Sequence, residues 1–201
     1  MTTELILWRH GETEWNRETR FQGQTDVPLN ELGELQAKAA AVKLAQAKPE
    51  IIYSSDLGRA RRTAEALAQR TGLPVEVDER LREIDVGSWA GRTMDEVKVM
   101  FPDYQRLVDE HVDFPRSPEG ETLGQVGVRV GEALLDIAAR HEGHRIVIAG
   151  HGNGLRVGMA HVVGWEWSVL GGLAVMGNAN WAVMRKRGHR WRVISYNRSA
   201  A

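Results

Sequence analysis

The sequence predicts an α/β fold in which helices cover both faces of a mostly parallel central sheet, so that the domain is a three-layer sandwich. Short apolar runs, each about as long as a buried strand, alternate four times with longer segments of helical pattern. This alternation is typical of parallel strands joined by right-handed helical crossovers. The chain has 201 residues and no internal repeat, low-complexity tract or linker, so we expect a single domain over residues 1–201.

The composition is that of an ordinary globular protein. Hydrophobic residues make up 42% of the chain, charged residues make up 26%, and the formal net charge is −1. A nearly neutral chain is a poor partner for nucleic acid or an anionic membrane, and no apolar run approaches the roughly 20 residues of a membrane helix. The chain has no cysteine, which excludes disulfides, and its N-terminus lacks the pattern of a secretory signal. We therefore expect a cytoplasmic protein with no nucleic-acid or membrane partner.

The first strand and helix are predicted from an apolar run and a spacing pattern. Residues 5–8 are apolar and are followed by Arg9, His10 and a glycine, which indicates a buried strand that ends in a loop. A helix is expected to begin near Asn30. Its predicted buried face follows the apolar spacing of Leu32, Leu35, Ala39 and Val42.

The second and third strands flank another predicted helix. Residues 51–53 form the second apolar run, and either Ser55 or Asp56 is expected to cap the helix that follows. Residues 74–77 alternate in polarity, which predicts a third strand. The residues of the intervening helix that are expected to point inward are Ala60, Ala64 and Leu67.

The second half of the chain opens with a less regular segment. Three prolines interrupt the stretch at about 89–121, which we expect to form a small lid inserted over the site and not a separate domain. A capping box of Thr122 and Gln125 then starts a helix. The predicted buried residues of that helix are Val126, Val130, Ala133, Leu134 and Ile137.

The remaining elements complete the alternation. Residues 145–149 form the fourth predicted strand, and a helix is expected at 154–163. The last element is a predicted hairpin of residues 181–184 and 191–196, which turns at Gly188.

Two histidines occupy equivalent places in this pattern. His10 and His151 each follow a predicted strand and precede a glycine. Ligands of open α/β sheets bind beyond the carboxyl ends of the strands, so two central strands would bring both histidines to one crevice. Arg9 stands beside the first histidine, Arg59 begins a helix, and Glu83 follows a further strand. Arginine forks onto phosphate oxygens and histidine can act as a nucleophile, so this set indicates an anionic, phosphorylated substrate.

Four motifs in these positions resemble the histidine phosphatase superfamily, which is also called phosphoglycerate mutase-like. The motifs are Arg9 to Thr13 with Asn16, Ser54 to Ala60 with Thr63 and Ala64, Leu81 to Gly87 with Trp89, and Ala149 to Gly152. One such motif alone would be weak evidence, but the four stand in the order of the family and span nearly the whole chain. The α/β sandwich that the resemblance implies agrees with the alternation of strands and helices.

The resemblance implies a role for each matching residue. His10 would attack phosphorus and form a phosphohistidine. Arg9, Arg59 and His151 would hold the phosphoryl oxygens in the transition state. Glu83 would protonate the leaving alkoxide and later take a proton from the attacking water. No metal and no other cofactor is implied, because two arginines supply the positive charge.

Four further residues are expected to contact the substrate, namely Asn16, Gln22, Gly23 and Gly152. Asn16 would add a neutral hydrogen bond to the phosphoryl group. An acidic residue at position 152 would resemble the phytase and acid phosphatase branch of the superfamily. The glycine at that position favours Glu83 as the acid, with Asp85 as the competing candidate.

Three functions remain open. The first is a metal-independent phosphomonoester hydrolase that acts on a small phosphorylated metabolite. The second is a 2,3-bisphosphoglycerate-dependent phosphoglycerate mutase, which shares the core residues. Mutases of this type resemble longer chains with a basic insert, whereas the interval from Glu83 to His151 is short, contains many acids and has no paired arginines. The third is a metal site of two histidines and a carboxylate, which the nearby arginines and the lack of His-x-x-x-His spacing disfavour.

The C-terminal region supports two further expectations. The stretches 170–173, 176–181, 191–192 and 196–197 are similar to actinobacterial members of the superfamily that dephosphorylate glucosyl-3-phosphoglycerate, so phosphoglycerates and sugar-phosphoglycerates are candidate substrates. The region is also apolar and contains several tryptophans, which favours a homodimer. These tryptophans are Trp165, Trp167, Trp181 and Trp191.

Overall fold

The computed structural model describes residues 2–200, with the side chains of residues 167 and 168 outside the description. The strands in this range are β1 (Glu4–Arg9), β2 (Ile51–Ser54), β3 (Val75–Val77), β4 (Arg145–Gly150), β5 (Trp181–Arg187) and β6 (Arg190–Arg198). The helices are α1 (Glu14–Arg17), α2 (Glu31–Gln46), α3 (Gly58–Thr71), α4 (Met94–Met100), α5 (Tyr104–Asp109), α6 (Leu123–Arg140), α7 (Gly152–Val163) and α8 (Trp167–Leu170). Two short 3-10 turns span Glu79–Leu81 and Gly87–Trp89. None of the helices described is long and apolar enough to cross a membrane.

The strands form one sheet in the order β3-β2-β4-β1-β5-β6. The first four of these strands run parallel to one another, whereas β5 is antiparallel to β1 and β6 is antiparallel to β5. The predicted mostly parallel sheet is therefore confirmed. The predicted hairpin is the antiparallel pair at one edge, and it turns at Gly188, whose φ of +61° favours glycine.

Alternate residues of β1 enter two separate cores. Leu5 and Leu7 pack in the cluster that contains the buried residues of α6 and α7. Ile6 and Trp8 pack in the cluster that contains those of α2 and α3. Successive side chains of a strand point to opposite faces, and none of these four is more than 3% exposed. Helices thus cover both faces of the sheet, which confirms the predicted three-layer arrangement.

The predicted buried face of α2 is wrong. Leu32, Leu35, Ala39 and Val42 are all exposed, and Leu35 is 63% exposed. The residues that pack on the sheet are Gly33, Ala37, Ala40, Ala41 and Leu44. These small side chains let the helix approach the loop after β1, because a Cβ at Gly33 would lie only 2.0 Å from the carbonyl oxygen of Glu12. The prediction assumed that the larger apolar residues of the helix are buried, whereas its buried face consists mainly of glycine and alanine.

Helix α3 is placed as predicted but is capped differently. Its residues Ala60, Ala64 and Leu67 are buried. The predicted cap by Ser55 or Asp56 is wrong. The Ser55 hydroxyl accepts from the N–H of Leu57, at 3.4 Å, which precedes the helix, and the Asp56 carboxylate pairs with an arginine. The free N–H of Gly58 instead donates to Asp26, at 2.8 Å. A residue distant in sequence therefore satisfies the helix start.

The other predicted helices agree with the structure. Thr122 and Gln125 form the expected capping box at the start of α6. All five residues that were predicted to be buried in this helix are buried. Helix α7 begins at Gly152, slightly earlier than predicted.

The segment at 89–121 contains more regular structure than the sequence indicates. A capping box of Thr93 and Glu96 starts α4, and α5 follows. The ring centroid of Trp89 lies 5.8 Å from the centroids of Phe21, Phe101 and Tyr104. The centroids of Phe21 and Tyr104 are 6.3 Å apart. This aromatic packing fixes the segment against the loop that contains Phe21.

Candidate active site

The neighbouring parallel strands β1 and β4 bring the two predicted histidines together. Arg9 is the register partner of Gly150, so the residues that follow these strands emerge side by side. The ring centroids of His10 and His151 are 5.3 Å apart. A cavity of about 160 Å³ opens at this edge. The predicted residues that line it are Arg9, His10, Asn16, Gln22, Gly23, Arg59, Glu83 and Gly152.

The ring of His10 is held so that one nitrogen is free. Its Nδ1 lies 2.6 Å from the carbonyl oxygen of Gly11, and because a carbonyl only accepts, Nδ1 carries the proton and Nε2 carries the lone pair. Burial lowers the pKa of His10 well below its ordinary value, and the positive charges of Arg59 and Arg9 lower it further. The imidazole is therefore neutral at neutral pH, which is the state in which it can act as a nucleophile.

His151 lies next to His10 but is not among the residues that line the cavity. Its Nε2 is 3.0 Å from the hydroxyl of Ser55, which follows β2 at the same edge of the sheet. Burial lowers the pKa of His151 well below its ordinary value, and Arg59 lowers it further. Sequence reasoning missed Ser55 as a site residue. The available signal was its place directly after a strand, which it shares with both histidines.

Two arginines supply the positive charge of the site. Arg59 is 1% exposed and donates to the carbonyl oxygens of Thr25, at 2.6 Å, and Gly23, at 2.7 Å. Arg9 donates to the carbonyl oxygen of Met176. In the described chain their hydrogen bonds go only to backbone carbonyls, and both Nε atoms are buried without a partner. Burial lowers the pKa of Arg59 to about 10, so it stays charged at neutral pH.

The Glu83 carboxylate caps helix α7 from outside the helix. Its oxygens accept hydrogen bonds from the backbone N–H groups of Gly154, at 2.8 Å, Asn153, at 3.1 Å, and Ile84, at 2.9 Å. The first two belong to the free donors of a helix N-terminus, where negative charge is stabilised. His151 at the N-cap position makes no side-chain cap of its own. The helix start thus fixes the carboxylate at the wall of the cavity.

The competing acid Asp85 is directed elsewhere. It does not line the cavity, and its carboxylate accepts from the N–H of Gly87, at 2.9 Å. Glu83 is therefore the carboxylate that the structure places at the site.

The two predicted polar contacts to substrate reach the cavity in different ways. Asn16 completes a capping box with Thr13, and its Oδ1 accepts from Nδ2 of Asn178, at 3.0 Å. Gln22 is 9% exposed, and its Oε1 is buried without a partner. The sequence analysis included Asn178 in a stretch that resembles other members of the superfamily but gave it no role at the site, because the stretch before β5 has no regular pattern.

The two predicted glycines are needed for close approach. Gly23 has a φ of +54°, which favours glycine. Its carbonyl oxygen accepts a hydrogen bond from Arg59. A Cβ at Gly152 would lie 2.7 Å from Val175 and 3.3 Å from Nε of Arg9, so a side chain there would crowd the arginine. The residues of the cavity that sequence reasoning missed are Arg20, Ile84, Val86, Asn153 and Val175. Within residues 2–200, no three His, Cys, Asp or Glu side chains are grouped so that they could hold a metal ion.

Comparisons with known proteins agree with this arrangement. The sequence profile of the histidine phosphatase superfamily (branch 1) matches residues 5–199. The chain is 37% identical to the glucosyl-3-phosphoglycerate phosphatase of Mycolicibacterium vanbaalenii over 98% of its length and 95% of that protein. It is 40% identical to the probable phosphoglycerate mutase GpmB of Escherichia coli over 80% of its length and 75% of that protein.

A solved structure with the same fold was determined with a bound oxyanion. It is that of the mycobacterial glucosyl-3-phosphoglycerate phosphatase in complex with VO3, which superposes with a TM-score of 0.90 at 35% identity. The match covers 98% of this chain and 99% of that chain. The chain therefore belongs to the histidine phosphatase superfamily, branch 1, as its four motifs predicted.

Proposed function

We propose that this protein is a phosphomonoester hydrolase that works without a metal ion and forms a phosphohistidine at His10. The observation that carries the proposal is a neutral His10 with a free Nε2, placed beside two arginines, Arg9 and Arg59, that contact no carboxylate in the described chain. A phosphoryl group provides the electrophile that His10 needs and the negative charge that the two arginines need. Its phosphorus is the electrophile for the imidazole, and its oxygens accept hydrogen bonds from the guanidinium groups.

The first half-reaction transfers the phosphoryl group to the enzyme. Nε2 of His10 attacks phosphorus in line with the ester oxygen, so that an N–P bond forms while the P–O bond breaks. Arg9, Arg59 and His151 stabilise the charge on the equatorial oxygens. Glu83, in its acid form, gives its proton to the leaving alkoxide and becomes a carboxylate. General acid catalysis of this kind contributes about 10²–10⁴-fold to the rate.

The second half-reaction returns His10 to its starting state. A water molecule enters where the alcohol has left and gives a proton to Glu83 as its oxygen attacks phosphorus. The N–P bond breaks, and phosphate leaves. The N–H groups of Asn153 and Gly154, which donate to Glu83, hold its carboxyl group in place for this proton transfer.

A phosphoglycerate mutase is the second candidate, because the chain is also similar to the probable mutase GpmB. A mutase would return the phosphoryl group to a bound phosphoglycerate instead of passing it to water. The hydrolase is favoured by the interval from Glu83 to His151, which has no basic insert. The glucosyl-3-phosphoglycerate phosphatase of Mycolicibacterium vanbaalenii, which matches nearly the full length of the chain, also supports the hydrolase.

The substrate that we propose is a small phosphorylated metabolite of the phosphoglycerate or sugar-phosphoglycerate class. The similarity to a glucosyl-3-phosphoglycerate phosphatase over almost the whole chain supports this class. We also propose that the segment at 89–121 acts as a lid that controls substrate choice. Replacing it with the corresponding segment of a related phosphatase should change the ranking of substrates, and an unchanged ranking would contradict this role.

A homodimer in the cytoplasm completes the proposal. The tryptophans that suggested a dimer differ in burial. Trp181 is 5% exposed and belongs to the core, whereas Trp165 is 37% exposed. The side chain of Trp167 lies outside the described residues. Strand β6 is the edge strand beside β5, which contains Trp181, and edge strands offer unpaired N–H and C=O groups to a second copy. Light scattering at micromolar concentration should give the mass of a dimer, and cell fractionation would test the location.

The proposed reaction is tested by phosphate release from a panel of phosphomonoesters that includes p-nitrophenyl phosphate. The assay contains excess chelator and no bisphosphoglycerate. We expect turnover under these conditions, and we expect His10→Ala to abolish it while His189→Ala, at an exposed histidine of the hairpin turn, retains it. No release until a bisphosphoglycerate primer is added, followed by interconversion of phosphoglycerates, would establish the mutase instead.

The covalent step has its own readout. Substrate labelled in the phosphoryl group should leave an acid-labile, base-stable label on the protein, as a phosphohistidine does. Near-normal activity of His10→Ala would overturn the assignment of the nucleophile.

A further inference from the structure

A second cavity, of about 660 Å³, adjoins the catalytic cavity. The two share Phe21, Ile84, Val86, Asn153 and Val175 in their walls. The larger cavity is bounded elsewhere by the segment at 89–121 and by residues near α8. A phosphomonoester whose phosphoryl group reaches the catalytic cavity would extend its leaving group into this adjoining space.

Two arginines from separate parts of the chain line the larger cavity. Arg116 comes from the segment at 89–121 and is 8% exposed. Its guanidinium carbon lies 4.0 Å from the ring centroid of Phe114, and its Nη1 donates to the carbonyl oxygen of the same residue, at 2.7 Å. This stacking holds the guanidinium plane in one orientation, as a site for a planar acceptor requires.

The second arginine comes from helix α7. Arg156 donates through Nη1 to the carbonyl oxygen of Leu173, at 2.8 Å, and its Nη2 is 3.4 Å from Oδ1 of Asn153. Its Nε is buried and has no partner. The hydrogen bonds of both arginines in the described chain therefore go to neutral acceptors only, which leaves two positive charges in one cavity.

The nearby carboxylates are committed to other groups. Asp113, which attracts Arg116, accepts from two backbone N–H groups at the start of α6. Glu83, which attracts Arg156, caps α7. Asp109 also lines the cavity, but it is exposed and accepts from a glutamine on its own helix. None of the three forms a salt bridge with either arginine within residues 2–200.

The positive charges of Arg116 and Arg156 repel one another. Burial lowers the pKa of Arg116, and the positive charge of Arg156 lowers it further. Burial also lowers the pKa of Arg156. Like charges that are held in a partly dry space are unfavourable unless an anion joins them. The apolar remainder of the wall, which includes Val112, Leu123 and Leu170, suits a ligand with a carbon skeleton between its charged ends.

We propose that Arg116 and Arg156 form a second anion site, which binds a carboxylate on the leaving group of the substrate. The inference rests on the proposed function and deepens it, because it assigns two residues to the recognition of the acid part of the substrate. A carboxylate is a planar, singly charged acceptor that can bridge two guanidinium groups. The sequence did not show this pair, because its members stand on different elements and only the fold brings them to one cavity.

The test compares two substrates that differ in a single group. 3-Phosphoglycerate has a carboxylate where glycerol 3-phosphate has a hydroxymethyl group. We expect the wild-type protein to have a higher kcat/KM for 3-phosphoglycerate. In Arg116→Gln and Arg156→Gln the ratio of the two kcat/KM values should fall roughly 10- to 100-fold, because each variant loses charge-assisted hydrogen bonds to the carboxylate. Arg187→Gln, at an exposed arginine of β5, is the matched control and should keep the wild-type ratio.

A binding measurement separates failure of the site from failure of the proposed function. Calorimetry of both esters with His10→Ala requires no turnover, and the preference for 3-phosphoglycerate should be present there and lost when Arg156→Gln is added. Hydrolysis of p-nitrophenyl phosphate with an unchanged ratio in both arginine variants would overturn the second site but not the hydrolase. No hydrolysis of any ester would overturn the hydrolase, and the calorimetric preference would then decide the site. A greater effect of the variants on propane-1,3-diol bisphosphate, which has a second phosphate and no carboxylate, would contradict the assignment to a carboxylate.

Discussion

The hydroxyl of Ser55 lies 3.0 Å from Nε2 of His151, and both residues are fully buried. This is the hydrogen bond that the His151 ring makes in the described chain, since its Nδ1 has no partner. The hydroxyl therefore fixes the orientation of the ring. We expect Ser55→Ala to lower kcat about tenfold, because His151 would present the phosphoryl oxygens with a less well-ordered donor.

The neighbouring serine provides a matched control for this prediction. Ser54 is equally buried, but its hydroxyl donates to the backbone carbonyl of Ser55, at 2.8 Å, and touches neither histidine. Ser54→Ala should lose comparable stability and keep its kcat. Equal kcat values for the two variants, measured with p-nitrophenyl phosphate, would show that the bond from Ser55 to His151 has no role in turnover.

The site residues that follow the strands could be predicted from the sequence, because each of them stands directly after a short apolar run. His10 and His151 follow apolar runs directly, so their place at the sheet edge required only that β1 and β4 be neighbours. The contacts between distant segments could not be predicted in this way. The cap of α3 by Asp26 and the bond of Asn178 to Asn16 join parts of the chain that have no shared pattern. The same reason explains why the small residues of α2 were not recognised as its buried face.

Glu83→Gln tests the role of the carboxyl group as an acid. A glutamine retains an oxygen that can accept from the N–H groups at the start of α7, but it has no proton to give to an alkoxide. We expect the loss of kcat/KM on alkyl phosphates to be about 10²–10⁴-fold. The loss on p-nitrophenyl phosphate should be smaller, because its leaving group needs less protonation. Equal losses on both esters, with an unchanged unfolding temperature, would indicate that Glu83 only positions α7.

Arg129 should position the segment that carries Glu83. Its guanidinium donates to the carbonyl oxygens of Arg82, at 3.0 Å, and Glu83, at 3.3 Å, and it pairs with the carboxylate of Glu121, at 2.7 Å. Arg129→Met removes these bonds and leaves part-buried acceptors unsatisfied, so we expect kcat to fall at least tenfold and the free energy of unfolding to fall by about 1–3 kcal/mol.

The pattern across substrates distinguishes positioning from a general loss of stability. If Arg129 acts through Glu83, its variant should lose more activity on alkyl phosphates than on p-nitrophenyl phosphate, as Glu83→Gln does. Arg140→Met is the control, because that arginine also lies on α6 and pairs with Asp136 at the surface. A uniform loss on every substrate would assign Arg129 a structural role only.

The buried histidines should make the free energy of unfolding depend on pH in a definite direction. The pKa values of His10 and His151 are both lowered well below their ordinary value of 6.5, chiefly by burial. Below about pH 6.5 the unfolded chain therefore binds protons that the folded chain does not, and the folded state loses stability as the pH falls. Each histidine contributes a slope of up to about 1.4 kcal/mol per pH unit in this window. Urea unfolding between pH 7.5 and pH 5.5, in buffers without phosphate, should give a shallower slope for His10→Ala than for the wild type. His189→Ala, at an exposed histidine, should keep the wild-type slope, and the same slope for all three proteins would show that His10 is protonated in the folded state as readily as in the unfolded chain.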